Sequence, residues 1–201
     1  MKLQSAFPEN EVNNSMSSHA FLVILAAFIL STATSIPALA QEQTAETTTT
    51  FIVVRHAERA GDLDELSEPG EQRANLLATI GKALKVQAIY STNTARTKGT
   101  ARPLANTIDT EILIYRRPSE GWLASLRQKH AGQVVLIVGH SNTAGVIAGM
   151  LAKEKPFVIK HDEYDSLFIV QASKSEARAV RLRFGVSSTG AASISPNAKS
   201  K

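Results

Sequence analysis

The 201-residue chain contains no cysteine. That absence excludes disulfide frameworks, thiol nucleophiles, thiolate zinc sites, iron–sulfur clusters and any lipid anchor carried on cysteine. Long apolar runs are scarce as well. The run Ala20 to Leu30 (AFLVILAAFIL) is uninterrupted but too short to span a bilayer comfortably. No internal repeat is visible, and 43% hydrophobic with 20% charged residues is an ordinary globular mix, which excludes global disorder and fibrous repeats. Acidic excess is lacking too: the net charge is +4, which suits an anionic ligand and equally a generic solvated surface. The positive charge is scattered and no recognition motif accompanies it, so no nucleic-acid partner is expected.

What is present divides the chain. The apolar run is followed by small and polar residues ending Ala38-Leu39-Ala40, the pattern of a secretory signal peptide over 1–40 cut after Ala40. Lys2 is its only basic residue, Glu9 and Glu11 oppose it, and translation from either Met1 or Met16 is compatible with the pattern. After cleavage no stable membrane insertion is expected, and the protein is placed in the periplasm or outside the cell. Residues 41–50 (QEQTAETTTT) form a polar, low-complexity linker, and 187–201 a tail of the same character. Between them, residues 51–186 are long enough for one compact domain. The sequence leaves its oligomeric state open.

Within that domain short strands alternate with helices. Phe51 to Val54 is a fully apolar, β-branched run of the kind buried on both faces of a parallel sheet. Ser67-Glu68-Pro69-Gly70 starts a helix with Ala74, Leu77 and Ala78 on one face and Gly81 as its stop. Val86 to Tyr90 is a second strand. A helix from about Thr94 carries Ala101, Leu104, Ala105 and Ile108 inward, with Pro103 expected to bend or shorten it. Glu111 to Tyr115 is a third strand, and Ser119 caps a helix bearing Trp122, Leu123 and Leu126. Arg127, Lys129 and His130 in its last turn complement the helix dipole, and Gly132 ends it. Gln133 to Val138 is a fourth strand, Thr143 to Leu151 a helix, and Asp165 to Gln171 and Ala177 to Phe184 two successive, antiparallel edge strands. This order predicts an α/β fold, a three-layer α/β/α sandwich with a mostly parallel central sheet.

In such sheets ligands bind beyond the carboxyl ends of the strands. The first strand is followed there by Arg55, His56, Ala57, Glu58 and Arg59, the second by Ser91, Thr92 and then Arg96, and the fourth by Gly139, His140, Ser141 and Asn142. Two histidines and two or three arginines thus gather at one edge, an oxyanion pocket with a nucleophile in it. Arginines present planar forks matched to phosphate oxygens, and a neutral imidazole nitrogen can attack phosphorus to give a phosphohistidine that water then hydrolyses. A metal centre is the competing reading. Two histidines make a poor cage and neighbouring arginines repel a cation, so no metal and no cofactor is expected.

These residues resemble the histidine phosphatase superfamily, branch 1, also called phosphoglycerate mutase-like. Arg55-His56-Ala57-Glu58 is similar to its R-H-G or R-H-A-E signature, and Leu66-Ser67-x-x-Gly70-x-x-Arg73-Ala74 to a family helix start that more often carries glutamine at the arginine position. Ser91-Thr92-x-x-x-Arg96-Thr97-x-x-Thr100-Ala101 and Val138-Gly139-His140-Ser141-Asn142 are similar to its second-arginine and second-histidine segments. The resemblance implies that His56 becomes phosphorylated while Arg55, Arg96 and His140 bind the phosphoryl group. Asn142 binds a phosphate oxygen or caps the following helix, with the cap favoured. For the proton donor the residues leave Glu120, Glu58, the loop acids Asp162, Glu163 and Asp165, or no dedicated acid. The expected partner is a phosphorylated substrate: a small phosphate ester, a phosphoprotein or an envelope phosphosugar. The alternative is a non-catalytic module that holds a phosphorylated ligand in a retained pocket.

Overall fold

The computed structural model describes residues 46–188. The expected signal segment 1–40 and the tail beyond residue 188 lie outside the described residues. Six strands and four helices follow one another: β1 (Thr49–Arg55), α1 (Glu68–Ala83), β2 (Ala88–Ser91), α2 (Ala95–Thr107), β3 (Ile112–Ile114), α3 (Glu120–Lys129), β4 (Val134–Gly139), α4 (Ala144–Ala152), β5 (Ser166–Ala172) and β6 (Ala177–Arg183).

The sheet order is β3-β2-β4-β1-β5-β6. β3, β2, β4 and β1 run parallel, while β5 is antiparallel to β1 and β6 to β5. Alternate residues of each central strand face opposite layers. Phe51, Val53, Val135 and Ile137 pack with Leu123 and Leu126 of α3 and Ile147 and Leu151 of α4. Ile52, Val54, Leu136 and Val138 pack with Leu77 of α1 and Ala101 and Leu104 of α2. The result is the expected three-layer α/β/α sandwich with a mostly parallel sheet. Each fully buried aliphatic or aromatic side chain contributes about 1.5–3 kcal/mol relative to exposure. That burial on both faces is why the strands read as continuous apolar runs.

Several local expectations change. The threonine run assigned to the linker already contributes Thr49 and Thr50 to β1; Thr49 is buried and its Oγ1 donates to the His130 carbonyl at 3.1 Å. Gly81 does not stop α1, which continues to Ala83; it lies against Leu104, where a Cβ would come within 2.4 Å of Leu104 Cδ2. This glycine therefore serves close packing of α1 on α2. Pro103 does not shorten α2, which runs on to Thr107. Arg127 caps another helix rather than its own: its Nη2 donates to the carbonyls of Met150 and Leu151 at the end of α4. His130 is buried, its Nδ1–H donating to Gln133 Oε1 at 2.6 Å and its Nε2 meeting the Tyr90 hydroxyl at 2.9 Å. It is a packed, hydrogen-bonded core histidine. Among the described residues no helix is long and apolar enough to cross a membrane.

Candidate functional site

The site forms where β1 and β4 end side by side. Their register pairs Arg55 with Gly139, and the His56 amide extends the ladder by donating to the Gly139 carbonyl at 2.8 Å. The next residues, His56 and His140, are thereby brought into edge contact, with ring centroids 5.4 Å apart. β2 lies on the other side of β4, so Thr92, one residue beyond β2, reaches His140 Nε2 at 2.9 Å. Arg96 enters from the first turn of α2, which Thr94 caps by accepting from the Thr97 amide. All four expected residues, Arg55, His56, Arg96 and His140, line one cavity of about 500 Å³ together with Arg59, Ser141, Asn142 and His161.

The backbone motifs that hold these residues have identifiable reasons. The Ala57 amide donates to Thr100 Oγ1 at 2.9 Å, and that hydroxyl donates to the Arg96 carbonyl, so one threonine ties the loop after β1 to α2. Leu66 pairs with Arg59 in an isolated bridge, and Ser67 caps α1 through its Oγ while its amide donates to the Glu58 carbonyl. Gly70 follows because a Cβ there would come within 2.2 Å of the Glu58 carbonyl oxygen.

His56 is 4% exposed. Its Nδ1 lies 2.8 Å from the Ala57 carbonyl, which only accepts, so Nδ1 carries the proton and Nε2 keeps a lone pair with no protein partner. Burial first, then Arg55, His140 and Arg96, lower its pKa to about 3, against the Ala57 hydrogen bond, which favours the charged form. A buried imidazole held neutral at physiological pH is a competent nucleophile. In His140, Arg96 Nη2 approaches Nδ1 at 3.5 Å as a donor, so Nε2 carries the proton and donates to Thr92 Oγ1. Burial and then Arg96 lower its pKa, opposed by Asp64.

The two expected phosphoryl-binding arginines are held differently. Arg55 Nη1 donates to the carbonyls of Lys160, His161 and Glu163, and its guanidinium lies 3.9 Å over the Tyr164 ring. Its buried Nε has no partner, and Nη2 makes no protein hydrogen bond. The loop that receives Arg55 is fixed in turn by the Glu163 carboxylate, which meets Ser166, Arg181 and Arg183. Burial opposes charge on Glu163, but hydrogen bonds from Ser166 and Arg181 hold its carboxyl below the usual range. Arg96 instead pairs with Asp64, which also accepts from the Ala95 amide at 2.7 Å. That amide, with the help of Arg96, lowers the Asp64 pKa.

None of the candidate acids lines the cavity. Glu58 is bound by Arg73 through Nε and Nη2, Glu120 is exposed at the start of α3, Asp162 lies outside, and Glu163 and Asp165 are ion-paired with Arg181 and Arg183. The favoured cap role of Asn142 also changes: Thr143 is the N-cap residue of α4, and Asn142 stands exposed at the cavity rim. Asp64, Tyr164 and His161 were not singled out as site residues by sequence reasoning, because they sit in aperiodic loops with no motif of their own. Arg59 was visible in the Arg-His-Ala-Glu-Arg string, yet spacing alone gave it no role.

Residues 51–120 match the model of the histidine phosphatase superfamily (branch 1). No curated protein sequence matches the chain. Among solved structures, the protein histidine phosphatase SixA complexed with tungstate superposes with a TM-score of 0.56 at 16% identity, over 67% of this chain and 96% of that one. YhfR of Bacillus stearothermophilus gives 0.55 at 16% identity, over 66% and 95%. A mycobacterial glucosyl-3-phosphoglycerate phosphatase complexed with VO3 gives 0.53 at 16% identity, over 70% and 100%. At these identities the likeness is one of fold.

Proposed function

We propose that this chain, which belongs to branch 1 of the histidine phosphatase superfamily, is a phosphomonoester phosphatase working through a phosphohistidine on His56. One observation carries the reading: a neutral imidazole whose Nε2 has no protein partner among the described residues sits in a cavity with three arginines and two further histidines. In the first step Nε2 forms a bond to phosphorus as the bond from phosphorus to the leaving oxygen breaks, and that oxygen takes a proton from solvent water. In the second step water attacks phosphorus as the bond from phosphorus to Nε2 breaks, the water oxygen leaves in inorganic phosphate, its proton returns to solvent, and His56 regains its lone pair. Arg55 and Arg96 supply fixed positive charge to the transferring group, which then needs no reorganisation at the moment of reaction. His140 flanks the same group from β4.

The chemistry needs no metal, because arginine charge occupies the role a Lewis acid would fill. Two fold neighbours are complexed with the oxyanions tungstate and VO3, which is compatible with an oxyanion pocket here. Export to the periplasm or beyond forms part of the same reading and rests on the sequence pattern of residues 1–40. Its natural substrate is then a small phosphate ester, a phosphoprotein or an envelope phosphosugar. The second reading, a phospho-ligand binding module, draws on the absence of a carboxylic acid from the cavity lining.

Purified protein assayed with para-nitrophenyl phosphate from pH 4 to 8, with and without chelator and beside His56→Ala, separates these readings. Turnover that survives chelator and vanishes in His56→Ala is expected. No turnover at any pH removes the hydrolase reading for this ester class. Loss with chelator removes metal independence, and activity retained in the variant removes His56 as the nucleophile.

A further inference from the structure

Every other arginine in or beside the cavity is committed. Arg55 serves three loop carbonyls and the Tyr164 ring, Arg96 serves Asp64, and Arg73 is consumed by Glu58 and the Phe184 and Val186 carbonyls. Arg59 lines the same cavity, and its guanidinium has no hydrogen-bond or ion-pair partner among the described residues. Its backbone is nonetheless fixed. It bridges Leu66, its carbonyl accepts from the Gly61 amide at 3.1 Å, and the neighbouring Ala60 amide donates to Glu65. A guanidinium on a rigid backbone, left unpaired within reach of a ligand, loses less freedom on binding an anion than one on a mobile loop would.

Being unpaired, and not depth, sets Arg59 apart from Arg96: Arg96 and His140 are half-buried like it. Arg55 and His56 form the buried floor, whereas Arg59 is half-buried and Asn142 and His161 are exposed at the rim. The cavity of about 500 Å³ is of a size that holds a small molecule and not merely a phosphoryl group. Among the described residues no carboxylate lines it, so nothing within that lining neutralises Arg59. Arg55, Arg96, His140 and the Nε2 of His56 already serve the phosphoryl group in the proposed reaction, and the unpaired Arg59 remains for the rest of the substrate. Its charge is felt at the floor, where it contributes to lowering the Arg55 pKa behind burial.

We propose that Arg59 is a specificity residue that binds a second anionic group, a carboxylate or a further phosphate, a few atoms from the phosphorus of the substrate. The proposal rests on the phosphatase reading and narrows it. Phosphomonoesters with a second negative charge are preferred over otherwise equal esters that lack one. Arg59 touches the substrate without contributing to the bond exchange.

The test uses a matched pair, O-phosphoserine and O-phosphoethanolamine, which differ by one carboxylate. Binding of each is measured by calorimetry in His56→Ala, in which the proposed nucleophile is absent, and again with Arg59→Ala added. Phosphoserine binding at least tenfold tighter than phosphoethanolamine, with the ratio collapsing toward one in the double variant and recovering partly in Arg59→Lys, is the expected result. Equal affinities in His56→Ala overturn the proposal. A loss of equal size for both ligands on removing Arg59 also overturns it, since Arg59 then belongs to the phosphoryl pocket itself. Turnover of para-nitrophenyl phosphate by the unsubstituted protein is followed in parallel. Its absence alongside a collapsing binding ratio sinks catalysis and leaves the second-anion site standing.

Discussion

The guanidinium of Arg73 holds both carboxylate oxygens of Glu58, at 2.7 Å from Nη2 and 2.9 Å from Nε, while its Nη1 and Nη2 donate to the Phe184 and Val186 carbonyls. One arginine from α1 thereby binds the residue two places after His56 to the end of β6. Removing one partner of a buried ion pair costs about 3–5 kcal/mol, because the survivor is left uncompensated. Glu58 keeps some solvent contact, so Arg73→Met is expected to cost about 3 kcal/mol, read as a lowered midpoint in urea denaturation.

The same pairing decides the role of Glu58. A carboxylate committed to two arginine nitrogens is a structural group, so Glu58→Gln is expected to lower kcat/KM for para-nitrophenyl phosphate by less than about tenfold, with an unchanged pH profile. A larger loss in kcat that moves the basic limb of the profile would instead make it the proton donor.

Titration of His56 supplies a third expectation. With its pKa lowered to about 3, chiefly by burial, the ring stays neutral from pH 8 down to pH 4, and imidazole nitrogen shifts in NMR should show no transition near 6.5. The sign for stability follows. Between pH 6.5 and about 3 the unfolded chain binds a proton at this residue that the folded one does not, so stability falls as pH falls through that window. The contribution approaches about 1.4 kcal/mol per pH unit for one proton. His56→Asn should show a shallower acid loss of stability over that range, measured by chemical denaturation at fixed pH values.

Gly70→Ala tests the contact beneath the loop that carries His56. Alanine gains about 1 kcal/mol over glycine in helix propensity, but its Cβ would sit 2.2 Å from the Glu58 carbonyl oxygen, a backbone atom that cannot rotate away. Overpacking of this kind costs about 1–3 kcal/mol, so a net loss in thermal midpoint is expected. Activity should fall with it, since Glu58 must shift and His56 lies two residues before it.

A fifth expectation concerns Glu163. Its carboxylate anchors the loop whose carbonyls receive Arg55, although it lies outside the cavity lining. Glu163→Ala should raise KM more than it lowers kcat, by about tenfold in kcat/KM. Glu163→Gln, which can still accept from Ser166 and Arg181, should recover part of the loss. Equal losses in the two variants would argue against a positioning role.

Much of this was legible in the sequence where the determinant is local. The apolar run Phe51 to Val54 reads as a strand buried on two faces because no alternation is needed when both faces are covered, and Ser67, Thr94 and Ser119 are the observed N-caps of their helices. Arg55, His56, Arg96 and His140 were legible because strand ends in a parallel sheet share one edge. What stayed hidden depends on distant partners. Gly81 looks like a stop until Leu104 is seen packed against it, and Arg127 looks like a cap for its own helix until α4 ends beside it. Asn142 has the right chemistry for a cap, but the chain turns one residue later, at Thr143. Asp64 and His161 reach the site from loops whose direction only the folded sheet sets.

The reversal of β5 has a consequence for how the protein comes into being. Because β5 runs antiparallel to β1, the loop that precedes it, and not the one that follows, arrives at the carboxyl end of β1. The three carbonyls that receive Arg55 therefore come from residues 105 to 108 positions later in the chain. Arg55 and His56, made early, wait on a segment made late. A chain halted before Ser166 can carry every motif residue and still leave Arg55 without its seat, so the assembled cavity becomes a property of the finished polypeptide.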